Sequence, residues 1–583
     1  MKKLSFFTIA FMVAIFTACK GLTPDIGEED DTSQDEVENE DNIDDAIASN
    51  AGNHDEASDY VWSGSSAVSI VLNGNSVTES SDKVSVEPGK IVISAAGNYS
   101  FSGTLSDGQI WVETSDDGIV RLILNGANIT SSNSAPVYVK KASKVLIALA
   151  DNTTNVLTDG TTYTYDDASE QEPNAAVFSK SNLTIFGEGS LQVNANFNDG
   201  ISSKDGLIIA SGNISVKAID DGIRGKDYLI VKSGNISVNA GGDGLKSDND
   251  NDDTLGYIEI ISGKFAVTAK GDGISAETDL MIKYAECTVQ TTASISGAGG
   301  ITSAKGLKAG VNMILDDGIF SLDCTDDGIH SNGTITVNSG SYFISSGDDG
   351  MHADYDLLIN DGTINITKSY EGIESYKGNI TINKGTIHLA SSDDGINVSA
   401  GGDMMGGPGQ GGWGGTASSS GSFYLYINGG RIYVNASGDG VDSNGSIKMT
   451  DGILLVDGPT NNGNGALDFN GSFTITGGLV IAAGSSGMAQ APQSSSSQYS
   501  VLVKFSSTKS AGTLFHVQTS AGEEVLSFSP GKTYQSVAFS TPVLKKGSAY
   551  EIYTGGSSTG AQTDGLFTGG AYTGGSLYTS FTI

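Results

Sequence analysis

Helical patterning is almost missing from this sequence of 583 residues. No apolar spacing of three and four residues is sustained between end caps, which excludes a helical bundle or a coiled coil. Proline is scarce, with 9 residues against 79 glycines. Glycine without proline excludes collagen and polyproline linkers and leaves many tight turns between strands. Basic residues are short as well: 31 Lys and Arg face 68 Asp and Glu, for a formal charge of -37. Phosphate contacts need basic clusters, so the charge disfavours nucleic acid and bare anionic membrane as partners, while cations, or ligands held through cations, suit the chain. Histidine is confined to His54, His330, His352, His388 and His516, and no Ser, His and Asp spacing reads as a catalytic triad. The stacked His330 and His352 are conceivable transition-metal donors, but no Cys/His cluster supports such a site in the sequence.

What is present begins with a targeting segment. Lys2 and Lys3 lead an apolar stretch from Leu4 to Phe16, and Thr17-Ala18-Cys19 forms a small-residue end. The stretch is too short for a comfortable membrane span. The Ala-Cys junction resembles a bacterial lipobox, so residues 1–19 are expected to be a lipoprotein signal peptide with Cys19 as the lipidated residue. The acidic run that follows, with Glu28-Glu29-Asp30-Asp31 and Asp44-Asp45, repels itself and holds little apolar surface. It predicts a disordered tether over residues 20–61. The location that follows is the outer membrane or cell surface, with membrane contact through the lipid alone.

Short alternating runs such as Asn213-Ile214-Ser215-Val216 fill the body of the chain. A search for a repeat decides the fold. The pattern acid-Gly-aliphatic recurs at Asp199, Asp221, Asp243, Asp272, Asp327, Asp349, Glu371, Asp394 and Asp439, with Lys305-Gly306-Leu307 as a degenerate copy. Other slots keep step with it, including Leu207 with Leu229 and Ile214 with Ile236. At its most regular the spacing is 22 residues, as from Asp199 to Asp221 to Asp243. Each repeat carries three alternating segments, and stacking like on like buries one face of each. This predicts an all-β parallel β-helix of about 22 residues per coil over residues 62–492. A Gly-rich surface loop is expected at 401–421, and a small β module at 493–583. Cys287 and Cys324 fall in different slots on different coils, so they read as buried core thiols rather than a disulfide.

Stacking sets the repeated acids about 4.8 Å apart. Such a column needs solvent, cations or raised pKa values. Calcium, which takes six to eight hard oxygens, suits it. The candidate ligands are Asp220, Asp221, Asp326, Asp327, Asp348, Asp349, Glu371, Asp393 and Asp394, with the turns at Asp326-Asp327 and Asp348-Asp349 expected to contribute most. Against this stands a plainer reading, in which each acid caps its own turn and glycine supplies a positive φ. The residue after each triplet points outward and reads Ser202, Arg224, Lys246, Ser275, Lys308, His330, His352, Glu374, Asn397, Asp442. Arg224, Lys246, Lys308, His330 and His352, with Tyr355 and Tyr376 nearby, are candidates for holding an acidic sugar polymer. Plain charge balance of the acid column accounts for the basic residues equally well.

The Asp-Asp-Gly-Ile turns, the stretch Val120 to Ile129, the stretch Ala148 to Asn155 and the ending from Tyr553 to Gly570 together resemble the bacterial carbohydrate-binding β-helix proteins first described from a cellulolytic clostridium. The resemblance spans about residues 62 to 583. It implies a right-handed parallel β-helix akin to polysaccharide lyases, bound calcium, and binding of cellulose-like or acidic plant polysaccharides without established catalysis. The expected protein is therefore a monomeric, surface-anchored polysaccharide binder, with calcium as cofactor and no catalytic residues. Two alternatives stand beside it. One is a calcium-dependent pectate-type lyase using Arg224, Lys246 or Lys308 as base, and the other is a structural rod that binds no sugar.

Overall fold

The computed structural model describes residues 43–61, 66–165, 169–292, 303–399 and 423–583. The expected signal peptide with Cys19, the tether as far as residue 42 and the Gly-rich insert 401–421 lie outside the described residues.

The body is all-β and built on parallel stacking. Strands recur in sets of three. One set is Ile223–Gly225, Tyr228–Val231 and Asn235–Ala240, and the next is Leu245–Ser247, Tyr257–Ile260 and Lys264–Ala269. Each strand pairs in parallel with its counterpart in the next set: Ile223 with Leu245, Leu229 with Ile258, Ile236 with Phe265. The first strand of each set joins a 16-stranded sheet, and the other two belong to a 32-stranded sheet. Burial alternates along them, as in Asn213–Lys217 and Thr363–Lys368. Their inward residues, among them Ile214, Ile236, Phe265, Cys287 and Phe320, form one continuous apolar core. Both thiols are buried and free.

Glycine plays two separate parts. At Gly212, Gly234, Gly340 and Gly362 the backbone has positive φ, between 107° and 134°. The glycine of the acid-Gly-aliphatic triplet does something else, which corrects the expectation that it supplies positive φ. A Cβ on Gly222 would lie 2.5 Å from the carbonyl oxygen of Gly244 and 2.3 Å from Val238 Cγ1. This glycine is required because successive turns nearly touch.

Beyond the stacked strands, Tyr534–Ser540 runs antiparallel to Leu479–Gly484 and to Ser500–Lys509. A six-stranded antiparallel sheet follows, including Phe515–Thr519, Glu524–Phe528 and Ala549–Thr554. Its Phe515 and Phe528, with Phe539 of the strand Tyr534–Ser540, share a core with Leu455 and Ile481 of the last parallel strands.

The tether expectation is wrong for residues 43–61. Ile43–Ser49 is a helix whose Ile43 and Ala46 pack on Ile208, Tyr228, Ile230, Tyr257, Met281 and Ile314. The chain then runs across the sheet. The Ala51 N–H donates to Thr254 O, and His54 sits between Tyr228 Oη and Thr184 Oγ1. Asp59 is fully buried and ion-pairs with Lys144 at 3.0 Å, while Asp55 meets Lys232 at 2.9 Å. The acids of this segment find lysines on the sheet, and its few apolar residues face an outward-facing strip of Ile and Tyr. Local composition carries neither fact.

Candidate functional site

The outward residues of the 16-stranded sheet stack in one file. Arg224 pairs with Lys246, Lys246 with Ser275, Ser275 with Lys308, Lys308 with His330, His330 with His352, His352 with Glu374, Glu374 with Asn397, and Asn397 with Asp442. The file extends toward the N-terminus, where the repeat signature is absent: Trp111 pairs with Tyr138, Tyr138 with Phe178, and Phe178 with Ser202. The face is thus aromatic at one end, basic in the middle and acidic at the other end. Sequence reasoning missed the aromatic end because those strands lack the acid-Gly-aliphatic marker. The signal was the alternation around Ile110-Trp111-Val112 and Val137-Tyr138-Val139, which puts both rings outward.

Beside these rings lies a cleft of about 360 Å³ bordered by Lys90, Gln109, Trp111, Asn133, Tyr138 and Glu172. Trp111 and Tyr138 meet edge to face at 4.7 Å, and Phe178 lies 5.8 Å from Tyr138. Lys90 Nζ stands 3.9 Å from the Trp111 ring centre, and Lys140 Nζ stands 5.3 Å away. The indole N–H donates to Glu113 at 3.0 Å. Cations over an aromatic face and a rim of amide and carboxylate groups form an amphipathic pocket that orients a polar ligand with an apolar face.

The acid column has a division of labour between its two oxygens. One oxygen caps backbone, but on the next coil rather than on its own turn, which corrects the simple turn-capping expectation. Asp221 Oδ1 accepts from the Asp243 N–H at 2.8 Å, Asp243 Oδ1 from Asp272 at 2.8 Å, and Asp272 Oδ1 from Lys305 at 2.8 Å. Asp327 accepts from Asp349 at 2.9 Å, Asp349 from Glu371 at 3.0 Å, and Asp394 from Asp439 at 2.6 Å.

The other oxygen meets a cation of the chain. Lys246 Nζ lies 3.2 Å from Asp221 and 2.8 Å from Asp243. Lys308 lies 3.2 Å from Asp272. Lys305, in the slot of a missing acid, reaches Asp326 at 3.1 Å and Asp327 at 2.6 Å. His330 Nδ1 is 2.8 Å from Asp327. Arg224 forks onto Asp248 at 2.9 Å, and Asp220 is exposed. Burial works against the Lys246 and Lys305 ammonium groups, yet their carboxylate partners hold both above the usual lysine range, so Lys246 is a poor base. The Asp326-Asp327 turn carries its own ammonium, and Asp326, Asp327 and Asp348 also bring three carboxylate oxygens within 4.8 Å of one another. Lys246, Lys308 and His330 are likewise engaged within the column, and Arg224 is held outside it by Asp248. Tyr355 is exposed, and Tyr376 carries Lys377 Nζ at 4.7 Å from its ring.

Further along, lysine drops out of the column. His352 Nδ1 lies 3.1 Å from Asp349 Oδ2 and 2.7 Å from Glu374 Oε2, and its Nε2 is 3.2 Å from Asp354. Burial would lower its pKa, but these three carboxylates carry it up to about 12. Burial, with Asp327 and Glu374 adding charge, raises Asp349. Burial, then Glu374 and Asp349, raises Glu371. Asp348 is pushed up to about 6 by burial and by Asp327 and Asp326. Asp394, Asp439 and Asp442 bring three carboxylate oxygens within 4.8 Å of one another, with Asp393 adjacent in sequence.

Residues 87–350 match the model of a family described as carbohydrate-binding domain-containing protein. A curated relative with that description, from Acetivibrio thermocellus, is 40% identical over 150 residues, which are 26% of this chain and 52% of the relative. The chain therefore spans about half the length of the curated relative it matches. A solved structure described as the polysaccharide lyase-like protein from C. thermocellum, gadolinium derivative, is 34% identical, with a TM-score of 0.39. That match covers 46% of this chain and 96% of the other.

Proposed function

We propose, from the match of residues 87–350 to the model of the carbohydrate-binding domain-containing protein family, that the chain binds a polysaccharide, cellulose-like or acidic, along the outward file of its 16-stranded sheet. The observation that carries this reading is the aromatic end of the file, where Trp111 and Tyr138 border a cleft that also holds Lys90, Gln109 and Asn133. Aromatic faces take the apolar face of a sugar ring, amides take its hydroxyls, and the lysines attract uronate carboxylates. Repeated contacts along a stacked face favour retention of a polymer through many weak sites over one deep pocket.

The reading has four further parts. The chain winds as a right-handed coil of about 22 residues, in keeping with the parallel pairing of Arg224 with Lys246. Calcium binds at Asp394, Asp439 and Asp442, a cluster whose donors are all hard oxygens, in preference to the like cluster of Asp326, Asp327 and Asp348, where Lys305 already stands. Cys19 anchors the protein to the outer surface of the cell through lipid. The protein acts as a monomer and performs no catalysis.

Electrophoresis through gels containing neutral and acidic polysaccharides, with calcium present, tests the function. Retardation by at least one polymer is expected, and Trp111→Ala should weaken it at least about tenfold, as loss of a buried aromatic anchor does. Unretarded migration in every gel would overturn the reading. Retention unchanged in Trp111→Ala would move the site away from this cleft.

A further inference from the structure

We propose that Asp349, His352 and Glu374 form a binding site for one divalent transition-metal ion of the zinc class, separate from the calcium cluster and from the aromatic cleft. The cluster differs from the earlier acid pairs of the column, which all have a lysine, although Asp327 also meets His330 beside Lys305. Asp221 and Asp243 share Lys246, Asp272 has Lys308, and Asp326 and Asp327 share Lys305. At Asp349 and Glu374 the partner is an imidazole, which is the side chain that binds transition metals best.

The three donors come from positions that the stacking fixes. His352 and Glu374 are register partners on adjacent strands, and Asp349 lies three residues before His352 in the preceding turn. Their ligating atoms all lie within 4.8 Å of one another, with Asp349 and Glu374 buried. A zinc ion with bonds of about 2.1 Å in tetrahedral geometry separates its donors by about 3.4 Å. The observed separations of 3.1 Å and 2.7 Å from His352 Nδ1 therefore need to open by about 0.3 and about 0.7 Å.

Each donor group already has its other polar atom held. His352 Nε2 faces Asp354 at 3.2 Å. Asp349 Oδ1 accepts from the Glu371 N–H at 3.0 Å. The other oxygen of Glu374 accepts from the Ser399 hydroxyl. This is the arrangement in which outer partners orient metal ligands, with a carboxylate behind the histidine.

A second observation is independent of the acids. Asn397 is 1% exposed, and its Nδ2 donates to Glu371 at 2.9 Å and lies 3.5 Å from Glu374. Its Oδ1 is buried with no hydrogen-bond partner. A buried amide oxygen left unpaired costs about 1–3 kcal/mol, and this amide is held against the site through the contact of its Nδ2 with Glu374. The set of one imidazole and two carboxylates suits zinc or its neighbours in the first transition row better than calcium, which takes oxygen alone.

The experiment takes the full chain, strips it with chelator, and titrates it with zinc in a calorimeter in the presence of excess calcium. One equivalent of zinc is expected to bind. His352→Gln and Glu374→Gln should each lose that equivalent, Asp354→Asn should weaken it about tenfold, and His330→Gln should leave it intact. Crystals of the unmodified protein soaked in zinc give a reading that no variant can confuse: an anomalous peak beside His352 Nδ1 is expected. Absence of a stoichiometric equivalent, competition by calcium at equal concentration, or a peak elsewhere would overturn the site. None of these outcomes bears on gel retardation by polysaccharide, so the two readings stand or fall separately.

Discussion

His54 shows how one side chain can make a surface segment depend on pH. Its two ring nitrogens meet Tyr228 Oη at 2.6 Å and Thr184 Oγ1 at 2.9 Å. Burial first, then the nearby Lys144, depress its pKa to about 4. In the unfolded chain the imidazole titrates near its ordinary value of about 6.5. Between these values the unfolded state binds more protons than the folded one, so stability rises with pH across the window. Above about 6.5 both states are neutral and nothing is lost. As pH falls toward 4, the segment 43–61 loses up to about 3 kcal/mol of attachment, on the scale of 1.36 kcal/mol per pKa unit. Amide hydrogen exchange of residues 43–61 at pH 4.5 and 7.5 should show the loosening. His54→Gln, which bonds without charging, should flatten it. The same pH slope in that variant would transfer the effect to another group.

At the scale of the element, the acid-Gly-aliphatic turn is the working unit. Its acid caps the next turn, its aliphatic residue enters the core, and its glycine lets two turns meet. Gly222→Ala places a methyl group 2.5 Å from the Gly244 carbonyl oxygen and 2.3 Å from Val238, and neither backbone nor β-branched core can move far. The cost of such overpacking is about 1–3 kcal/mol, read as a lower melting temperature. Gly234→Ala is the comparison: strain there comes from its positive φ of 134°, with the nearest oxygen at 2.9 Å. The smaller loss is expected at Gly234, and the reverse order would show that φ rather than contact sets the requirement.

Much of this element was legible. Two-residue alternation fixes which side chains enter the core, and like slots recurring in step imply parallel stacking. What stayed hidden depends on contacts between coils. The acid at 221 bonds the backbone at 243, and Lys305 fills the gap between Asp326 and Asp327. Trp111 and Tyr138 head the basic file because of stacking that no local motif marks. The segment 43–61 reads as a loose acidic tail until lysines 144 and 232 appear opposite its acids. His352 meets Glu374 only because their strands are neighbours.

At the scale of the molecule, a stack of equivalent coils makes stability a sum over coils and their nearest-neighbour interfaces. Removing one whole coil should therefore leave a folded protein. Deleting residues 328–349 takes out the strands Ile329–Ser331, Thr334–Val337 and Ser341–Ser345, one of each kind. It joins Asp327 to Gly350, so the triplet Asp-Gly-Met is restored at the seam. Leu307, which pairs with Ile329, would then face Met351, and Met313, which pairs with Ile335, would face Leu357. Asp327 Oδ1, now capping Asp349, would cap the Glu371 N–H instead. Every replaced contact is of the same kind as the one lost, and the stack shortens by about 4.8 Å. Deleting only residues 328–338 removes two of the three strands and leaves the third without its coil. That variant should unfold or aggregate. The expected outcome for the full-coil deletion is a cooperative melt within a few degrees of the parent and an unchanged β-sheet circular dichroism spectrum. Loss of the cooperative transition in the full-coil deletion would mean that these coils are not interchangeable units and that the stack depends on contacts reaching beyond neighbouring turns.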